Sequence, residues 1–337
     1  MNNLSSGPSS GSAPSRRKKK KKYRINKRKL LRAILLFLLL IAALSFGISK
    51  AVSALRKAAE EEEQPQVTAQ TQQPEPVRVV TLSEQFKNSP GFTVIGSEIA
   101  SNYAVLINAD TKEIIAGKNI NEKIYPASMT KVLALLTAAE NCTDWSGTVN
   151  FSRSVEEYCF VNKCSVVGYE RNEVVLLSET PYGTILSSGA DATVTMAEHV
   201  AGTHEAFVDL MNQTAKSLGL GMSTHFSNSV GIYADDHYTT VRDMAVIMYA
   251  AMRNSFCKEV LTTRTFETAP TENHPDGQVL TNLFLLRVGT KDPGSVKVTA
   301  AKTGYVGEAG FCAVSYGEAE DGTPYIFVTA DSTGVWQ

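Results

Sequence analysis

The spacing of apolar and polar positions changes character three times along the chain. Residues 1–32 show no apolar periodicity, and the first fifteen are rich in Ser, Gly, Pro and Asn, which predicts a disordered tail. Then Ala33 to Ser49 (AILLFLLLIAALSFGIS) runs 17 uncharged, mostly apolar residues between Arg32 and Lys50. As a helix this run covers about 25 Å, slightly short of a ~30 Å hydrocarbon core, a gap that Arg32 and Lys50 close by snorkelling. From Ala51 to residue 92 periodicity is lost again. Glu60 to Glu63, six Gln and Pro65, Pro74 and Pro76 read as a flexible linker.

Beyond residue 93 the patterning is that of a folded domain. Tyr103-Ala-Val-Leu-Ile-Asn, a turn at Ala109–Lys112 and Glu113-Ile-Ile-Ala predict a β-hairpin. Pro126 precedes Ala127–Glu140, where Met129, Val132, Leu133, Leu135 and Leu136 give the wide apolar coverage of a buried helix. Helices are predicted again over 195–218 and 240–253. Strands follow at 296–301, 310–316 and 324–329, the last two joined through Glu320-Asp321-Gly322. Strands, then helices, then strands predict an α+β fold: an antiparallel sheet drawn from both ends of the domain, flanked by helices, with a helical subdomain.

Charge sharpens this division. The formal net charge of the whole chain is −1, yet residues 1–50 carry 13 of the 33 Lys and Arg and no acid. Residues 51–337 are left with 20 basic and 34 acidic side chains, which argues against nucleic acid as a partner of the main body. A basic block before an apolar run keeps that side in the cytoplasm and exports the other. The run is read as an uncleaved signal anchor, making the protein a single-pass cell-membrane protein with its folded domain extracytoplasmic. Cleavage after Ala54, in Val52-Ser53-Ala54, would instead release a secreted form. Export permits disulfides; of Cys142, Cys159, Cys164, Cys257 and Cys312, the pair Cys159 and Cys164 is close enough in sequence to bond. His199 and His204 have no ligand set nearby, so a zinc peptidase is not indicated.

Chemistry enters at Ser128-Met129-Thr130-Lys131. An S-x-x-K also occurs at Ser15 and Ser255, but only Ser128 opens a buried apolar helix. The spacing puts Ser and Lys on one face, the helix start offers N–H groups and positive dipole, and apolar surroundings depress a lysine pKa enough for it to act as a base. Lys302-Thr303-Gly304 falls on a predicted strand and offers a cation, a hydroxyl and a position where a substrate backbone can approach. Between them, Leu186-Ser187-Ser188-Gly189-Ala190 is a small-residue turn.

The order of these three motifs resembles the penicillin-binding and serine β-lactamase superfamily, and in detail the low-molecular-weight D-alanyl-D-alanine carboxypeptidases. The resemblance rests on Tyr125–Lys131, Tyr103–Asp110, Thr224–Asn228 with Gly231, His237–Ala245 and Ala301–Tyr305, and it covers about residues 98–337. It implies that Ser128 is the acylated nucleophile, Lys131 its general base and Ser188 the proton relay. Lys302, Thr303, Gly304 and Tyr305 would form the substrate-binding strand, with the Ser128 and Tyr305 N–H groups as oxyanion hole. The implied partners are peptidoglycan stem peptides ending in D-Ala-D-Ala, with β-lactams as covalent inhibitors and no metal or cofactor.

Two departures stand out. The family's S-x-N reads Ser188-Gly189-Ala190, and the family's helix after the last strand is not evident before Gln337. The chain is accordingly divided into a cytoplasmic tail (1–32), an anchor (33–50), a linker (51–92) and a penicillin-binding D,D-carboxypeptidase domain (93–337). A catalytically weakened cell-wall-binding homologue and a β-lactamase remain the alternative readings. Asn228, Gly231, Arg242 and Asp243 are read as structural, the last two as a local ion pair.

Overall fold

The computed structural model describes Lys50 and residues 80–289 and 295–334. The basic tail, the apolar run 33–49 and residues 51–79 of the linker lie outside the described residues. Among the described residues, no helix is long and apolar enough to cross a membrane. The chain divides into two units, residues 1–77 and 78–337, and the second carries everything below.

In chain order, that unit begins with α1 (Leu82–Gln85), β1 (Lys87–Val94), β2 (Tyr103–Asn108) and β3 (Glu113–Lys118). A 3-10 turn at Ala127–Met129 leads into α2 (Thr130–Asn141), followed by β4 (Thr148–Asn150), α3 (Arg153–Val161) and β5 (Val174–Leu176). Helices α4 (Thr180–Ile185), α5 (Ala190–Ala201), α6 (His204–Ser217), α7 (Val241–Arg253) and α8 (Ser255–Thr262) form the middle. Next come β6 (Thr265–Glu267), β7 (Val279–Thr281), α9 (Leu283–Gly289), β8 (Val296–Val306), β9 (Gly310–Ala319) and β10 (Pro324–Ser332).

The main sheet has the order β1-β3-β2-β10-β9-β8. All its pairings are antiparallel except β1 with β3. The mixed α+β architecture and the hairpin β2–β3 follow the pattern read from the sequence. So does the assembly of the sheet from both ends of the domain, through pairing of β2 with β10 from Ala104↔Thr329 to Asn108↔Tyr325. Along β10 burial alternates strictly, with Pro324, Ile326, Val328, Ala330 and Ser332 turned inward. That period of two presents one face to a helix layer. Helix α7 fills it: Val241, Met244, Ala245, Met248, Ala251 and Met252 recur at helical spacing and are buried against β2, β9 and β10. Its start is set by Thr240, whose Oγ1 accepts from the Asp243 N–H at 3.0 Å.

Helix α2 lies one layer further in. Every residue from Thr130 to Ala138 is buried, and the helix packs on α5, α6 and α7. A second, smaller core joins Phe151, Val155, Cys159, Tyr169, Ala190, Ala192 and Val230, tying α3 and its following loop to α5.

Three local features differ from the sequence reading. The helix predicted over 195–218 is two helices, because Gly202 takes φ +83° and breaks the run. The first of these, α5, starts five residues earlier than expected, at Ala190. Residues 82–94, read as linker up to 92, form α1 and an edge strand. Strand β1 is exposed at most positions and contains Pro90 and Gly91, composition that an edge tolerates but that carries no alternation to detect.

Candidate active site

The nucleophile candidate Ser128 sits in the 3-10 turn just before α2. The preceding Ala127 has φ +48°, a left-handed conformation that costs about 1–2 kcal/mol for a residue with a Cβ. Two glycines hold this turn in place. A Cβ on Gly231, itself at φ +88°, would lie 1.9 Å from the Ala127 carbonyl oxygen. A Cβ on Gly304 would lie 2.8 Å from the Ser128 nitrogen and 3.0 Å from the Pro126 oxygen. Gly304 was read as room for a substrate backbone; its structural task is to let β8 run against the nucleophile turn.

Lys131 follows one helical turn later. Its Nζ is hydrogen-bonded to Ser128 Oγ at 3.2 Å and donates to the Val230 carbonyl at 2.7 Å. Only 2 % of the residue is exposed. Burial pulls its pKa down to about 8, against the upward pull of Cys164, Asp191 and Cys159. The Val230 carbonyl is aimed by a tight turn around Asn228, whose Oδ1 accepts from the N–H groups of Val230, Gly231 and Ile232. Asn228 and Gly231 thus serve the loop, as read from the sequence, and through it the lysine.

The neighbouring His237 is almost fully buried and its pKa falls to about 4 because burial disfavours the charge. Its Nδ1 accepts from the Ser227 N–H, so Nε2 donates to Thr130 Oγ1 at 2.8 Å. Asp243 accepts from the Thr224 hydroxyl at 2.8 Å. Arg242 forms the local pair with Asp243 read from the sequence, its Nη1 lying 3.8 Å from Asp243 Oδ1. Its guanidinium reaches back to the Ser83 and Phe86 carbonyls and fastens the start of the domain to α7.

On the other side of the nucleophile stand Ser188 and Lys302. Ser188 occupies the turn between α4 and α5 at φ +55°. Lys302 Nζ, on β8, donates to Ser188 Oγ at 2.9 Å and to the Thr303 carbonyl at 2.8 Å. Lys302 is buried, and burial followed by repulsion from Lys131 drives its pKa well below the usual lysine value. It is therefore a poised donor behind the wall of the cleft, where the sequence suggested a fixed positive charge.

Ser128, Ser188, Thr303, Gly304 and Tyr305 line one cleft of about 360 Å³. The seven residues singled out from sequence are thus together: five on the cleft and the two lysines beneath it. Tyr305 is 58 % exposed, with its ring stacked on Phe311 at a centroid distance of 4.5 Å.

Sequence reasoning missed Ser165. It lies on the same cleft, and its carbonyl accepts from the Ala190 N–H at 2.8 Å. The loop carrying it is held by Asp191, a fully buried carboxylate that accepts from the N–H groups of Val167 and Gly168. Nothing in the local sequence around Ser165 announces this, because its partners come from α5, over 20 residues later. Ala190, in the place of the S-x-N asparagine, is 1 % exposed and presents only a methyl group to the smaller core.

Comparison with known proteins agrees with this geometry. A family profile described as D-alanyl-D-alanine carboxypeptidase matches residues 88–333. Among curated relatives, the D-alanyl-D-alanine carboxypeptidase DacF of Bacillus subtilis is 35% identical over 220 residues, covering 64% of this chain and 54% of its own. DacC of Escherichia coli is 31% identical over 162 residues, covering 46% and 40%. The chain spans about half the length of the curated relatives it matches. A Streptomyces DD-transpeptidase superposes with a TM-score of 0.63 at 24% identity, over 70% of this chain and 92% of that one. The D-alanyl-D-alanine carboxypeptidase of Mycobacterium tuberculosis gives 0.60 at 26%, over 68% and 82%. With the family profile spanning most of the sequence, and the serine–lysine pair, the Ser188 turn and the K-T-G strand meeting on one cleft, the chain belongs to the D-alanyl-D-alanine carboxypeptidase family.

Proposed function

We propose that the protein is a serine-type D,D-carboxypeptidase that removes the terminal D-alanine from peptidoglycan stem peptides through an acyl-enzyme on Ser128. The observation that carries this reading is the hydrogen bond between Lys131 Nζ and a partly exposed Ser128 Oγ at the floor of a cleft. With a pKa near 8, about a tenth of Lys131 is neutral at pH 7 and able to take the serine proton. Ser128 then attacks the carbonyl of the penultimate D-alanine. The developing oxyanion falls to the Ser128 and Tyr305 N–H groups, where preorganised donors act most strongly. Ser188, hydrogen-bonded to Lys302, passes a proton to the departing D-alanine nitrogen. The terminal carboxylate docks at Thr303 and draws a proton onto Lys302, whose charge burial otherwise disfavours. Water hydrolyses the acyl-enzyme.

Fluorescent penicillin should label the folded protein, with the adduct on Ser128 by mass spectrometry. A synthetic peptide ending in D-Ala-D-Ala should release D-alanine. Absence of both, or labelling that persists in Ser128→Ala, overturns the assignment. The buried methyl of Ala190 favours a second reading, a weakened enzyme that holds cell-wall peptides. Peptide binding without D-alanine release, together with restored release in Ala190→Asn, would select it.

The domain is proposed to be held at the outer face of the cell membrane by residues 33–50. The support is the apolar run between Arg32 and Lys50 and the block of Lys and Arg before it. Full-length protein is expected in the membrane fraction; a soluble species beginning at Leu55 would show cleavage instead.

A further inference from the structure

Cys159 and Cys164 meet because of the way α3 ends. Lys163, just past the helix, takes φ +50°. Its N–H donates to the Phe160 carbonyl at 3.2 Å, and the Cys164 N–H donates back to the Cys159 carbonyl at 3.0 Å. This pair of bonds is a Schellman ending, which sets the side chain of the third-last helical residue against that of the second residue past the cap. The contact is usually apolar. Here both positions are cysteines, and both line one shallow pocket beside Phe151 and Tyr169. Both are present as free thiols. Cys159 is buried and Cys164 half-buried, so Cys164 is the more accessible of the two. The neighbouring cysteine lowers the pKa of Cys164, whereas its neighbour and burial raise the pKa of Cys159. The half-buried Cys164 is therefore the better attacker.

We propose that Cys159 and Cys164 form a redox modification site, converted by a small-molecule or protein disulfide into an intrachain disulfide closing residues 159–164. The Cys164 thiolate attacks one sulfur of the oxidant RSSR, giving a mixed disulfide and releasing one thiolate. Cys159 gives up its proton to that thiolate and attacks Cys164 Sγ, forming the intrachain bond and expelling the second thiolate, which takes the Cys164 proton from solvent. Two electrons pass from the pair to the oxidant, and two RSH leave.

The site is wired to the cleft. The next residue is Ser165, and the loop continues into the N–H groups gripped by Asp191. The pair also acts on Lys131. The titratable groups that interact with Lys131 are Cys159, Cys164, Asp191, Lys302 and His237, and of the two cysteines it is the readily ionised Cys164 that favours its charged form. Oxidation removes two of these groups and leaves the others, so it eases deprotonation of Lys131. This second consequence rests on the acylation mechanism proposed above; formation of the bond does not.

The test uses full-length protein equilibrated in oxidised or reduced glutathione, then unfolded and alkylated with N-ethylmaleimide. The oxidised sample is expected to take two fewer adducts, with the loss mapping to Cys159 and Cys164, full alkylation of Cys142, Cys257 and Cys312, and reversal by dithiothreitol. Alkylation of all five thiols in excess oxidised glutathione, or a bond to any other cysteine, overturns the proposal. Penicillin acylation is then followed against pH in both forms. Its midpoint should lie at lower pH in the oxidised form, and oxidant should have no such effect on the Cys159→Ser, Cys164→Ser double variant. Identical profiles in the two forms overturn the link to Lys131. Failure of labelling in both forms counts against the acylation mechanism and leaves the alkylation result standing.

Discussion

At the scale of single residues, the site trades stability for reactivity. Lys131 is buried beside another lysine and a serine, with no carboxylate in direct contact. Burial lowers its pKa from 10.5 to about 8. A base whose folded pKa is depressed is silenced by protonation as pH falls. Acylation of Ser128 is therefore expected to rise about tenfold per pH unit below 8 and to level off above it, as measured by the rate of penicillin labelling. Ser165 makes its contribution on the exposed cleft wall. Ser165→Ala keeps the main-chain bond to Ala190, so the melting temperature should stay unchanged, while loss of a cleft-lining hydroxyl that contacts the substrate should lower acylation efficiency roughly three- to tenfold, about 1 kcal/mol. An equal loss of stability would show that Ser165 supports the loop and not the substrate. The meeting of Ser128, Lys131, Ser188 and Lys302 was legible because each belongs to a short motif with a mechanistic spacing. The part played by Ser165 was not, since it depends on a bond to Ala190 across the fold.

At the scale of elements, the active site is a meeting of segments that must come unusually close. Strand β8 touches the nucleophile turn through Gly304, and the loop after α6 touches it through Gly231. Gly231→Ala should be the more damaging of two alanine substitutions, because it meets a carbonyl oxygen at 1.9 Å and also forces an alanine into the left-handed region. A loss of at least 3 kcal/mol in denaturant unfolding is expected, at the severe end for point substitutions. Gly304→Ala should abolish penicillin labelling at a smaller cost in stability. Asn228→Ala frees three N–H groups and the carbonyl turned to Lys131, so roughly 2–4 kcal/mol and most of the acylation rate should be lost. Helix α7 and strand β10 were readable in sequence because one buried face gives a clean period. Strand β1 was not, because a mostly exposed edge strand with Pro90 has no buried face to impose one. The break at Gly202 was visible as a glycine, but helical periodicity continues across it into α6, and only the dihedral reveals the division.

At the scale of the molecule, the acidic composition of residues 51–337 gives no attraction for a substrate ending in a carboxylate. On the proposed function, capture is local, at Thr303 and the donors behind it. Raising ionic strength is expected to change KM for a D-Ala-D-Ala peptide only slightly; a steep salt dependence would mean that long-range steering contributes. The strand order has a further consequence, in time rather than in space. Strand β10 is inserted between β2 and β9, so β2 cannot find its neighbour until residues more than 200 positions later have been made. At synthesis rates of about 5–20 residues per second the opening hairpin waits some 10–40 s for its partner. Strand β8, with the K-T-G segment, is bound to the sheet only through β9 and waits with it. Chains stopped before Pro324 should thus be as protease-sensitive as unfolded protein. Such a chain stays loose for as long as its synthesis lasts, and its cleft is complete only once its last strand has arrived.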